Sequence, residues 1–447
     1  MLNDEGWGLL MFLLLFMAAL LIGIGRLRRE RSMTERLTVP EGYFSRNSGL
    51  SLRLCGSVLL CVLPGLFYRN GLLTVVALVS LLMGAGALLF FLLPKLPSKG
   101  VLTPVEALSL SPKPRVCAAL ASLLPTFILT AAALMVCARF VAGVFSLHYL
   151  ISLVAVTAVS VLLCLLKTAR SRAVSDRFLA FLPVSVTGVL AGALILVKGD
   201  SLAENLAFTF SVEDSLLPLL SFACIGIGVP GLLLPMQREL ASQSAQKKKG
   251  LLTFLLFTVV LLFSAFCGLF GSLADNSLTD AVACETVLLQ LSPLLPSPLR
   301  GLCCAGLILL AMLYVQDGLK AMSALLVWDV IQPLHELMPD KRLLTLSRLS
   351  VPAFAPLLFL AAMPETLPLL SYVTLALLLS APLGMVHFAP RRSGKRTILA
   401  LLVGELLAVT GFVCSYVFVE LGFLPAFPAA LSTLLILLIG GNKHRKD

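Results

Sequence analysis

The ionisable residues set inside long apolar runs are the ones that could do chemistry in this chain. Asp317 and Lys320 lie three residues apart within the run 300–330, on one face of an expected helix. A charged side chain within a bilayer costs at least about 2.5–3.5 kcal/mol unless it is paired or hydrated. A carboxylate held there can bind and release a proton, which is the chemistry of a coupling site. The same two residues can instead neutralise each other beside an inner cavity, or snorkel towards water. Glu405 reads as a helix-partner or lipid-facing residue, and His387, just before Arg391 and Arg392, as interfacial. Arg53 reads as a snorkelling residue near the inner surface, and Arg139 as an outer cation able to attract a carboxylate. Gly226 and Gly228 suit either close helix packing or a binding site.

Several other chemistries have no residues to carry them. The chain contains no HExxH and no Gly-x-Ser-x-Gly, so a membrane enzyme is not expected. It has no GxxxxGK[ST] loop, so ATP would have to be hydrolysed by a separate partner. Most of the 11 cysteines fall inside apolar stretches, without CxxC or His-rich spacing. The vicinal pair Cys303 and Cys304 reads as small core residues. No metal site and no cofactor are expected.

The elements that must position these residues follow from composition. Of 447 residues, 59% are hydrophobic and only 13% charged, against about 25% charged in ordinary soluble domains. That excludes a soluble enzyme, a disordered chain and a nucleic-acid binder. The formal net charge of +11 does not alter this, because the basic residues form short clusters between apolar runs and no basic face.

Thirteen apolar runs follow one another, near 7–25, 49–68, 71–93, 117–142, 147–166, 178–197, 216–236, 250–272, 300–330, 346–363, 367–389, 397–419 and 422–440. The first is preceded by Asp4 and Glu5 and followed by Arg26, Arg28, Arg29 and Arg31, the reverse of a signal peptide. The segment is therefore expected to be retained with its N-terminus outside. Of the 34 basic residues, 28 then fall in alternate connections, which become the inner ones. The outer connections carry Asp200, Glu204, Glu213, Asp214, Asp275, Asp280 and Glu285. A miscounted helix would invert this bias, and it does not invert. The expected fold is an all-α, multi-pass membrane protein with about 13 transmembrane helices, N-out and C-in.

Three segments resemble the sodium:solute symporter family, and within it the acetate and monocarboxylate permease branch. They are Gly100–Leu110 (GVLTPVEALSL), Gly226–Ser244 (GIGVPGLLLPMQRELASQS) and Leu309–Asp329, whose inner end carries Ser323, Ala324, Leu325 and Asp329. The resemblance implies a LeuT-type core of two inverted five-helix repeats. Residues 1–48 would hold a peripheral first helix and an inner loop. Residues 49–236 would hold the first repeat with the start of the second, and 237–389 the remainder of the second. Residues 390–447 would hold two peripheral helices and a basic tail.

The substrate and ion would bind at the midplane, where the first helix of each repeat is broken. On the first of these helices the resemblance implies backbone carbonyls of Gly56 and Leu59 as sodium ligands, with Ser57 between them. Gly56 and Pro64-Gly65 are compatible with unwinding or with a packed, kinked helix. On the opposing helix the family's two ligand hydroxyls correspond to Leu313 and Tyr314. Leucine cannot coordinate a cation, and a phenol oxygen sits further out than a serine hydroxyl. Sodium coupling at the usual place is therefore not supported, and Asp317, or its pair with Lys320, is the alternative, with H+ in place of Na+.

The implied function is secondary transport of a small solute, such as the monocarboxylate acetate, across the plasma membrane. The alternative is a transport-inactive homologue acting as a membrane sensor or assembly partner. The expected partners are the solute and the lipid bilayer, with no nucleic acid and an undetermined oligomeric state.

Overall fold

The computed structural model describes residues 4–24, 32–37, 57–92, 94, 103–108, 110–166, 179, 181–204, 216–233, 247–274, 278, 280–335, 337–389, 394–417 and 422–439. Every regular element among them is helical. In hydrocarbon a backbone N–H or C=O has no water to bind, so an apolar chain satisfies these groups within each segment, as helices do.

Helix α1 spans Asp4–Ile24, and the short α2 covers Met33–Leu37 on the inner side. Helix α3 (Ser57–Asn70) is followed by α4 (Val75–Gly86), which continues as a π-helical stretch to Leu92. Then come α5 (Pro112–Phe145), α6 (Tyr149–Leu166), α7 (Leu182–Glu204), α8 (Leu216–Ala223), α9 (Ile225–Leu233) and α10 (Lys247–Ala274). Two one-turn helices, α11 (Ala281–Cys284) and α12 (Val287–Gln290), fold in the outer connection before α13 (Ser297–Ala324). Helices α14 (Asp340–Ala362), α15 (Leu369–Phe388), α16 (Gly394–Val417) and α17 (Ala426–Ile439) complete the chain.

Eight helical stretches are long and apolar enough to cross a bilayer, and four shorter apolar helices accompany them. One of the eight, Val62–Leu92, is interrupted at Gly71, whose φ of +55° is open to glycine and ends α3. Counted as two, it brings the apolar helical segments among the described residues to thirteen, one for each run in the sequence. The longest helix, α5, starts with Pro112 in its first turn, where a missing N–H costs nothing. It ends at Ser146 in the left-handed conformation.

Helices α5, α13 and α15 form the centre. In the most apolar window of α13 and of α15, 72% of residues are buried, against 28% in α16, which therefore lies at the periphery. With lipid tails as apolar as the side chains, helices associate through close backbone approach at small residues. Helix α1 meets α13 where Gly8 crosses Gly301. Helix α9 is held between α4 and α15. Gly84 faces Gly226 on the first side, while Gly228 and Gly231 lie against the carbonyls of Leu377 and Ser380 on the second. Packing is thus the observed role of Gly226 and Gly228.

This gives a paired expectation for thermal unfolding in detergent. Gly228→Leu forces the α9–α15 backbones apart and lowers stability by about 1–3 kcal/mol or more. Gly192, on α7, has nothing within 4 Å of an added Cβ, so Gly192→Ala is neutral or stabilises by up to about 0.5–1 kcal/mol.

Candidate functional site

The chain is discontinuous at the junction of α8 and α9. Around Cys224 the helical ladder tightens, with Cys224 N–H donating to Ser221 O at 3.1 Å and Ile227 N–H to Cys224 O at 3.1 Å. Groups freed by such a break must find partners. Ser80, buried on α4, supplies both: its hydroxyl donates to Ala223 O at 2.7 Å and accepts from Gly226 N–H at 2.7 Å. One hydroxyl therefore closes the gap in the neighbouring helix. Ser221, one turn earlier, accepts from Phe423 N–H at 2.8 Å and ties α8 to the turn before α17.

The other expected break is not seen where Pro64 and Gly65 stand. Residues 57–70 remain helical through both. Gly65 instead gives room to the Cys284 carbonyl, which would lie 3.0 Å from an added Cβ, so it serves packing rather than unwinding. Gly56 lies outside the described residues. Ser57 and Leu59 belong to α3, and their side chains are likewise outside what is described.

Opposite them, α13 carries the other candidates. From Cys303 to Leu325 every residue is buried except Leu313 and Asp317. These are four apart, on one face, so this is the side on which the centre of α13 is open. Tyr314 and Lys320 are buried at 4% and 3% exposure. The opposite side is closed by α5, where Gly318 receives the Thr130 side chain. The structure thus leaves Leu313 and Asp317 on the less buried face of α13, while Tyr314, one turn before Asp317, is buried.

Two charged clusters lie towards the ends of α5. At its inner end Asp329, fully buried, accepts from Thr103 Oγ1 at 2.8 Å and from Arg115 Nε at 3.0 Å, with Arg115 Nη2 2.9 Å away. Arg115 also donates to Trp328 O at 3.1 Å, and the Trp328 ring N–H donates to Glu106 at 3.0 Å. Thr103 and Glu106, from Gly100–Leu110, and Asp329, at the end of Leu309–Asp329, thus belong to one cluster. His387 is buried here rather than interfacial, its ring nitrogens 2.9 Å from Leu383 O and 3.3 Å from Pro104 O.

Towards the outer end, Arg139 is buried and engaged, not an exposed attractor. Its Nη1 donates to Glu285 Oε2 at 3.0 Å, and its Nη2 to the carbonyls of Glu365 and Leu367, each at 2.7 Å. Glu285 also accepts the first two N–H groups of α15, from Leu369 at 2.8 Å and Leu370 at 2.9 Å. Burial pushes the Glu285 carboxyl above the ordinary carboxylate range, while the two amides and Arg139 draw it back. Nothing in the local pattern marked Glu285, since its partners lie 84 to 146 residues away.

Glu405 sits half-buried on α16 with one carboxyl oxygen lacking a hydrogen bond. Cys303 and Cys304 are buried core residues. Among the described residues no group of three His, Cys, Asp or Glu could hold a metal ion.

No family model matches the chain, and no curated protein matches it. Solved structures do. A Na+-coupled sialic acid symporter, substrate-bound and outward-open, superposes with a TM-score of 0.75 over 98% of both chains at 12% identity. The chain shares the fold of that symporter. A variant of the Eremococcus coleocola manganese transporter gives a TM-score of 0.54 at 14% identity, over 91% of this chain and 99% of that one. A nucleobase-cation-symport-1 family transporter, closed with bromovinylhydantoin bound, gives 0.55 at 14% identity, over 92% and 94%. The chain is a polytopic helical membrane protein whose structural neighbours are transporters, not enzymes.

Ser80 offers a direct measurement. Ser80→Ala leaves Ala223 O and Gly226 N–H unpaired in a dry interior, so unfolding in detergent reports a loss of about 1–3 kcal/mol. Ser80→Thr, which keeps the hydroxyl, retains more of the stability.

Proposed function

We propose that the chain is a secondary active, symporter-like transporter of a small solute, working by alternating access. The observation that carries this reading is the 98% mutual coverage with a symporter structure; the interruption between α8 and α9 supports it, since carriers of this class bind their cargo at discontinuous helices. In the finer reading the chain is a divergent relative of the sodium:solute symporters, of the acetate and monocarboxylate type, set in the plasma membrane. Its solute is a monocarboxylate such as acetate.

Coupling in this reading runs through protons. Leu313 stands where a sodium-ligand hydroxyl is expected and shares the open side of α13 with Asp317. A carboxylate there can be neutralised by protonation, whereas leucine offers a dehydrated cation nothing. Gly56, Ser57 and Leu59 would supply the opposing wall, and Lys320 the charge that holds Asp317 ionised between cycles. A second reading is a transport-inactive relative that senses or assembles, and Leu313 is the observation that favours it.

Uptake of labelled acetate or pyruvate into proteoliposomes separates them. With the protein monodisperse, flux should follow a pH gradient and be indifferent to sodium, and Asp317→Asn should lose the pH response. An unchanged pH response in Asp317→Asn removes the proton relay, and no flux for any solute favours the inactive relative.

A further inference from the structure

We infer that the inner ends of α5 and α16 together bind one anionic phospholipid of the inner leaflet. The two helices run side by side there. Gly394, the first residue of α16, lies against Pro114 and Ser111 at the start of α5, and Ala118 and Ala119 share an apolar cluster with Ala400 and Leu401. Lys113 and Lys395 flank this contact, one from each helix, and both are exposed. Neither has a side-chain partner among the described residues. The carboxylates that reach the start of α5 are already engaged, since Glu106 lies 3.8 Å and Asp329 2.9 Å from Arg115. Two positive charges thus border one helix contact, with no acid among the described residues to balance them.

An apolar stripe leads away from each lysine. On α5, Leu120 and Leu124 are exposed on the face that carries Lys113. On α16, Leu399 and Leu402 are exposed on the face that carries Lys395. Beyond Leu124 the lipid-facing part of α5 ends. From Pro125 to Phe140 every residue except Phe127 is buried. The open part, Lys113 to Leu124, is therefore about 16 Å long, half of a hydrocarbon thickness of about 30 Å. That is the depth of a single leaflet, so the stripe has the reach of the acyl chains hanging from one headgroup.

Charge complementarity selects the occupant. A free phosphate would balance the lysines but leave the leucines uncovered. A zwitterionic lipid would cover the leucines but bring a cation of its own. A phospholipid with a net negative headgroup does both, and basic recesses between membrane helices on the cytoplasmic side bind such headgroups. Seated there, it ties the peripheral α16 to the central α5. The inference is independent of the transport reading and is tested with no solute present.

The full-length protein, stripped of lipid in detergent, is titrated with dioleoylphosphatidylglycerol and followed by native mass spectrometry. One adduct should form in preference to dioleoylphosphatidylcholine. Each lysine near the headgroup strengthens binding by about fivefold, so Lys113→Gln combined with Lys395→Gln should weaken it by about 25-fold. Lys341→Gln, at an exposed lysine that opens α14 on the same side of the membrane, should leave it nearly unchanged. Undiminished binding in the double variant overturns the proposal. So does an equal loss in Lys341→Gln, which would mark general attraction to the basic inner surface. Glycerol 3-phosphate, which carries the anion without the chains, should not bind. Binding of glycerol 3-phosphate as tightly as the lipid overturns the lipid as occupant.

Discussion

Every backbone polar group in the hydrocarbon needs a partner, and the rest of this structure depends on that requirement. Continuous helices meet it without help. Where the chain departs from a helix, a side chain from another element must intervene. Ser80 does this for the α8–α9 break, accepting one freed N–H and donating to one freed carbonyl. Glu285 does it for the start of α15. Both groups come from elsewhere in the chain, so a local interruption becomes a tertiary bond. Such a break can exist only where the bundle around it is already in place.

Helix α5 is where the polar interactions converge. Arg115 and Arg139 are 24 positions apart on it, about 36 Å along the axis, which is more than the hydrocarbon thickness of about 30 Å. Each is matched to a buried carboxylate from a different part of the chain, Asp329 and Glu285. Between them the helix offers small and hydroxyl residues, and Ser122, Thr126 and Thr130 donate their hydroxyls to the carbonyls four residues earlier, of Ala118, Ser122 and Thr126. The middle of α5 is therefore free to pack closely, as Thr130 does against Gly318. A charged residue at each end and a self-satisfied middle make α5 a fixed axle for its neighbours.

What could be read from residues alone follows the same division. The thirteen apolar runs and the alternation of basic connections are local signals, and the helices lie where those runs lie. Packing of Gly226 and Gly228 was legible as one of two alternatives, because a glycine in an apolar helix announces close approach but not the neighbour. Thr103, Glu106 and Asp329 were legible as motif positions, though not as members of one cluster. Ser80 was not legible, and Glu285 was legible as an outer acidic residue but not as a buried ion-pair partner. A serine in an apolar run and a glutamate in an outer loop carry no periodicity, and their partners lie 143 and 146 residues away. Pro64-Gly65 was likewise legible as one of two alternatives, because proline in a membrane helix is tolerated when neighbours compensate, and here Gly268 of α10 and the Cys284 carbonyl pack directly on the pair.

The crossing of Gly8 with Gly301 bears on how the molecule is made. The groove on the first helix is complete as soon as α1 enters the bilayer, yet its counterpart lies 293 positions later in the chain. At about 5–20 residues per second, the ribosome needs roughly a quarter of a minute to a minute to supply it. For that interval the nascent first helix sits in lipid with its narrow waist unfilled, and the final seating of α1 is a late event in biogenesis.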